Sequence, residues 1–106
     1  MIETKFSILG GGNLGSSIAT GLVNHGVIHK DNLFLYDALE KQREILKDKG
    51  FHVAKDNSEA AEHADIILIA VKPYQLIEIL KEIREEINAS QQIIISCVEG
   101  EPDSEI

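Results

Sequence analysis

The 106-residue sequence predicts a doubly wound α/β domain built on one parallel sheet with strand order 3-2-1-4-5. Three observations predict it. Apolar runs of strand length alternate with segments of helical period along the chain. Several of those runs are apolar almost throughout, as strands covered on both faces require. Glycines cluster at the first strand-to-helix junction.

The elements follow in order. Phe6, Ile8 and Leu9 in KFSILG make the first strand, and Leu14, Ile18 and Leu22 give NLGSSIATGLVNHG a helical stripe, with Gly26 placed to end it. NLFLYD is the second strand, closed by Asp37. LEKQREILKDKG is a second helix ending at Gly50. FHVAKD reads as a short third strand, and NSEAAEHA as a helical turn for which Asn57 or Ser58 is the expected N-cap. DIILIAV is the fourth strand, with Pro73 just after it. In YQLIEILKEIREEI, Leu76, Ile79, Leu80, Ile83 and Ile87 share one face, while Glu78, Lys81, Glu82, Glu85 and Glu86 fall mostly on another. That pattern describes a helix packed on a sheet with a solvated outer face. QIIISCV is the fifth strand, and EGEPDSEI is a polar end.

Composition narrows the function classes. Hydrophobic residues at 43% and charged residues at 26% are those of an ordinary globular domain, long enough to bury a core without staples. The formal charge of -8, with no cluster of Lys and Arg, argues against nucleic acid as a partner. A single cysteine, Cys97, excludes an internal disulfide framework and reads as a small buried thiol. No signal-peptide pattern opens the chain and no apolar run reaches the roughly 20 residues that span a bilayer, so no membrane association and a cytoplasmic location are expected. His25, His29, His52 and His63 fall on different elements without Cys or carboxylate partners at ligand spacing, so no metal site is expected. Ser16 and Ser17 have no catalytic context, Glu85 and Glu86 belong to the solvated helix face, and no catalytic acid or base is identifiable.

The chemistry concentrates in FSILGGGNLGSSIATGL. In a G-x-G-x-x-G between strand and helix, the first glycine permits the tight turn, the second lets a pyrophosphate approach the backbone, and the third lets helix pack on strand. Gly10, Gly12 and Gly15 fill those places. The amides of the first helical turn, around Asn13 to Gly15, then present the positive end of the helix dipole to the phosphates. Asp37 ends the second strand about twenty residues later, where a carboxylate accepts from the adenosine ribose hydroxyls; its alternative reading is a turn or helix cap. This Rossmann-type arrangement predicts an NAD(P)H-binding domain over residues 1–100, followed by a polar tail at 101–106. The carboxylate favours NADH slightly over NADPH, with Lys41 and Arg43 the nearest cations on the following helix.

Beyond the loop, ILGGGNLGSSIATGLVNHGVI, Asp56-Asn57, ADIILIAVKP and IIISCVEG together resemble the first half of the pyrroline-5-carboxylate reductase family. The resemblance implies reduction of 1-pyrroline-5-carboxylate to L-proline, a step of proline biosynthesis, with hydride from NAD(P)H. It implies a loop over the cofactor phosphates formed by Leu9, Gly10, Gly11, Gly12, Asn13 and Leu14. Asn57 would reach the adenosine side or the edge of the cofactor cleft, and Ala70, Val71, Lys72 and Pro73 would line the nicotinamide end. The family places small residues before the glycine after its fifth strand, whereas this chain has Val98-Glu99-Gly100. The family also carries a helical C-terminal dimerisation domain that supplies the imino-acid pocket, which this sequence lacks; the expectation is cofactor binding with little turnover, in a monomer or weak homodimer. Two alternatives stand beside this reading: a non-catalytic NAD(H)-sensing module, and the cofactor domain of another reductase such as a 3-hydroxyacid dehydrogenase or a deazaflavin-linked NADP reductase.

Overall fold

Side chains alternate across a strand, so the apolar runs divide between two faces, and each face needs its own helical cover. In the computed structural model, which describes residues 4–10, 12–62, 64–71, 73–84 and 92–96, that cover is arranged as follows. The chain runs β1 (Phe6–Leu9), α1 (Gly12–Asn24), a 3-10 turn (Lys30–Asn32), β2 (Leu33–Tyr36), α2 (Glu40–Asp48), β3 (His52–Val53), α3 (Asn57–Glu62), β4 (Ile66–Ile69), α4 (Pro73–Ile83) and β5 (Ile93–Ser96). All strand pairs are parallel and the order is β3-β2-β1-β4-β5, the expected doubly wound sheet.

Ile8 of β1 and Leu33 and Leu35 of β2 pack with Ala19 of α1 and Leu46 of α2 on one face. Leu9, Ile67 and Ile69 pack with Ala60 and Ala61 of α3 and Ile83 of α4 on the other. These strand side chains are almost wholly buried, and each contributes about 1.5–3 kcal/mol of transfer free energy. Ser7 shares the face of Leu9, is fully buried, and its hydroxyl has no hydrogen-bond partner among the described residues.

Register positions the site. Leu9 pairs with Tyr36 on one side and with Ile69 on the other. Gly10, Asp37 and Ala70 therefore leave the sheet at one level, at the carboxyl ends of three adjacent strands. The chain winds from β1 to β2 in one direction and returns to β4 on the opposite side of β1, so a crevice opens above β1, where such sheets bind ligands.

Two local features set the connections before β2 and α3, the second of them differing from expectation. His29 opens the approach to β2: its Nδ1 accepts from the Asp31 amide at 3.1 Å and caps the 3-10 turn. The N-cap of α3 is Asp56 rather than Asn57 or Ser58, with its Oδ1 accepting from the Glu59 amide at 2.8 Å. Glu59 Oε1 in turn accepts from the Lys55 amide at 2.7 Å. The cap belongs to the last extended residue before the first helical one, and that residue is Asp56. Gly26 and Gly50 end α1 and α2 with φ of 72° and 89°.

At the far edge of the sheet, β5 pairs, among the described residues, only with β4, and Ile93, Ile94 and Ile95 are exposed. Gln92 Nε2 anchors the strand's entry by donating to the carbonyls of Ala61 and Ala64 at 2.9 and 2.7 Å. Ile87, Cys97 and Glu99 lie outside the described residues.

Candidate dinucleotide-binding groove

The turn after β1 is closed by backbone contacts that only glycine permits. Gly10 has φ of 77°, and its amide donates to the Tyr36 carbonyl at 2.7 Å. A Cβ at Gly10 would collide with Val71 Cγ1, and one at Gly15 would strike the Gly10 carbonyl oxygen. The first glycine thus lets the turn nest against the end of β4, and the third lets α1 start directly on the turn. Gly12 differs: φ is 48°, yet a Cβ there would meet nothing nearer than Gln42 Nε2 at 4.0 Å. Its exposed face is open space, as a pyrophosphate-facing glycine requires.

Asp37 faces that turn from the end of β2. Its Oδ2 accepts from the Gly12 amide at 3.0 Å and its Oδ1 from the Leu39 amide at 2.9 Å. The carboxylate therefore acts both as the Asx-type start of the β2–α2 connection and as a fixed acceptor beside the glycine loop. Arg43 of α2 sits behind it. Its Nη1 donates to the Asp37 and Ala38 carbonyls at 2.8 and 3.0 Å, and its guanidinium lies 5.4 Å from the centre of the Tyr36 ring. In this arrangement the arginine supports the turn with its charge directed at backbone oxygen.

These elements border a groove of about 600 Å³, within the range of cofactor pockets. One rim is Gly10, Gly12, Asp37, Ala38 and Leu39. The opposite rim is Ala70 and Val71 followed by Tyr74, Gln75, Glu78, Ile79 and Glu82 of α4, with Asn57 of α3 between them. Among the expected site residues, Gly10, Gly12, Asp37, Asn57, Ala70 and Val71 are brought together here. Leu9 instead lies in the core, fully buried, and only its carbonyl faces the β4 end, accepting from the Ala70 amide at 3.0 Å. Asn13, Leu14 and Gly15 form the first turn of α1 behind the rim. Pro73 opens α4. Gly11 and Lys72 lie outside the described residues.

The α4 residues were not expected in the site. Gln75, Glu78, Ile79 and Glu82 are spaced as one helical stripe, so the signal was in the sequence, yet charge had assigned Glu78 and Glu82 to the solvated face. Asn57, almost fully buried, donates from Nδ2 to Glu82 Oε1 at 3.0 Å, and Ser58 Oγ donates to the Glu82 carbonyl at 3.2 Å. The groove thus carries the carboxylates of Asp37, Glu78 and Glu82 and, among the described lining residues, no Lys or Arg. Among the described residues, no group of three or more His, Cys, Asp or Glu is placed to hold a metal ion, and no helix is long and apolar enough to cross a membrane.

Comparison with known proteins agrees with this geometry. The family model described as NADP oxidoreductase coenzyme F420-dependent matches residues 5–100. A pyrroline-5-carboxylate reductase of Methanosarcina acetivorans is 31% identical over 103 residues, an alignment covering 96% of this chain and 38% of that protein. The structure of a pyrroline-5-carboxylate reductase from Coxiella burnetii superposes with a TM-score of 0.82 at 26% identity, covering 90% of this chain and 35% of that one. The crystal structure of Plasmodium falciparum pyrroline carboxylate reductase with NADP bound gives a TM-score of 0.75 at 33% identity, covering 91% and 34%. The chain therefore spans little more than a third of the length of these relatives. The glycine turn, the acidic end of β2 and the groove at the switch point of the sheet are those of a dinucleotide-binding Rossmann fold, and the chain belongs to the NADP oxidoreductase coenzyme F420-dependent family, matching the NAD(P)-binding part of pyrroline-5-carboxylate reductases.

Proposed function

We propose that this chain binds NADH in the groove above β1 and serves as the cofactor-binding part of an imine-reducing oxidoreductase acting on 1-pyrroline-5-carboxylate. The observation that carries this reading is the Gly12–Asp37 pair at 3.0 Å, set at the mouth of a groove of matching size. The first-turn amides of α1 and the open face of Gly12 receive the pyrophosphate. Each Asp37 oxygen accepts one backbone N–H and retains capacity for a ribose hydroxyl. A 2′-phosphate would instead meet the acidic groove while Arg43 is engaged with two carbonyls, so NADH is preferred to NADPH. Ala70 and Val71, at the end of β4, border the nicotinamide half.

When bound, such a cofactor supplies a hydride to the carbon of a protonated C=N bond, leaving the amine and the oxidised nucleotide. The imino acid needs a pocket that excludes water, and we place that pocket on a further domain of the kind that accounts for the relatives' greater length. On this reading these residues are the cofactor-binding part of a cytoplasmic enzyme, and turnover needs that pocket as well. Calorimetric titration with NADH and NADPH tests the proposal. Saturable binding with NADH favoured, lost in Gly12→Val, is the expected result; no binding of either nucleotide at millimolar concentration would overturn it.

A further inference from the structure

The sheet order assigns the parts of a bound dinucleotide to places along the groove. With the dinucleotide bound as proposed, the pyrophosphate would lie over β1 at the glycine turn and the ribose over β2 at Asp37, which puts the base attached to that ribose further on, toward the carboxyl end of β3. Asn57 stands there, four residues after β3, and α4 crosses from the end of β4 to meet it at Glu82. Leu39, largely exposed, and Ile79 supply apolar surface on the two walls of this stretch of the groove. Two apolar walls with a polar group between them suit a flat heteroaromatic ring read at its edge.

The polar group is unusual in kind. An ionised carboxylate only accepts hydrogen bonds. Asn57 Nδ2 donates to Glu82 Oε1 at 3.0 Å, and although Glu82 is exposed, Asn57 is almost fully buried, so the bond gives the carboxylate a preferred orientation set by a side chain with little freedom. Among the described residues, Glu82 Oε2 has no hydrogen-bond partner. An adenine presents a 6-amino donor at its edge, whereas hypoxanthine presents at that position a 6-oxo acceptor, which a carboxylate repels, and carries its ring N–H donor at N1 instead.

We infer that Glu82, oriented by Asn57, reads the 6-amino edge of the adenine and makes the groove selective for adenine dinucleotides over their 6-oxo counterparts. This rests on the proposed binding of NADH in the same groove. It also gives the acidic character of the groove a second consequence, since carboxylates disfavour phosphate near the ribose while Glu82 recognises a donor at the base.

The test is titration of the 106-residue chain, and of Glu82→Gln, with NADH and with reduced nicotinamide hypoxanthine dinucleotide. The wild type is expected to bind NADH at least roughly tenfold more tightly, the scale of one hydrogen bond to a charged group. In Glu82→Gln, whose amide can donate to a 6-oxo group, the ratio is expected to fall to within about threefold. The ratio is taken within each protein, so a general loss of affinity does not move it. Equal binding of the two dinucleotides by the wild type, or an unchanged ratio in Glu82→Gln, overturns this inference while leaving NADH binding intact. Failure of the wild type to bind NADH overturns both readings together.

Discussion

The Gly12 amide and the Asp37 carboxylate, 25 positions apart, meet at 3.0 Å across the mouth of the groove. The contact ties the first turn of α1 to the end of β2 before any ligand arrives, so the ribose acceptor and the phosphate-facing turn are set relative to each other in advance. Because Leu39 holds the second carboxylate oxygen at 2.9 Å, the acceptor cannot rotate without losing one bond or the other. Binding to such a site loses less ordering entropy than binding to one assembled by the ligand.

Replacing that acceptor tests its part in nucleotide selectivity, because the two nucleotides are compared within one variant. Asp37→Ala is expected to weaken NADH roughly tenfold to a hundredfold, the range for hydrogen bonds to a charged group, and to weaken NADPH less. Fluorescence titration of both nucleotides measures this. Equal losses for the two would show that the carboxylate does not discriminate at the ribose.

Gly10 and Gly12 answer to different constraints. Gly10→Ala places a methyl against Val71 in a left-handed backbone conformation, and the expected cost is about 2–4 kcal/mol in urea unfolding. Combined with Val71→Ala, the loss should be smaller than the sum of the single changes by at least about 0.5 kcal/mol. Strict additivity would dissociate the two residues. Gly12→Ala, which meets open space, should cost only about 1–2 kcal/mol of stability while sharply reducing NADH affinity.

Ser7 offers the opposite sign. Its hydroxyl is buried without a partner among the described residues, so Ser7→Ala removes a desolvated polar group at little packing cost. A gain of about 1 kcal/mol is expected in the unfolding free energy. A lower urea midpoint would mean that the hydroxyl is satisfied after all.

For α3, the cap assignment is open to direct comparison. Asp56→Ala should cost about 1 kcal/mol, a usual value for a lost N-cap, whereas Ser58→Ala, which gives up one exposed bond to the Glu82 carbonyl, should cost less than about 0.5 kcal/mol. Thermal unfolding of the two variants decides between the capping residues, and equal costs would contradict the assignment to Asp56.

What the sequence by itself determined is what depends on local period and local chemistry. The near-continuous apolar runs of β1 and β4, the helical stripes between strands and the glycine spacing at positions 10, 12 and 15 are each contained in a short window, and together they specify a doubly wound sheet with its ligand crevice after β1. Asp37 was legible for the same reason, as the polar residue that closes a strand. Only the tertiary structure decided which residues complete the groove. Leu9 went to the core because its position in the alternation faces the α3–α4 layer. The stripe of Gln75, Glu78, Ile79 and Glu82 became a groove wall because α4 crosses toward α3, where Asn57 takes hold of Glu82. Amphipathic spacing shows which side of a helix avoids water. Whether the polar side faces bulk solvent or a binding groove depends on packing between elements distant in the chain, and no local pattern encodes it.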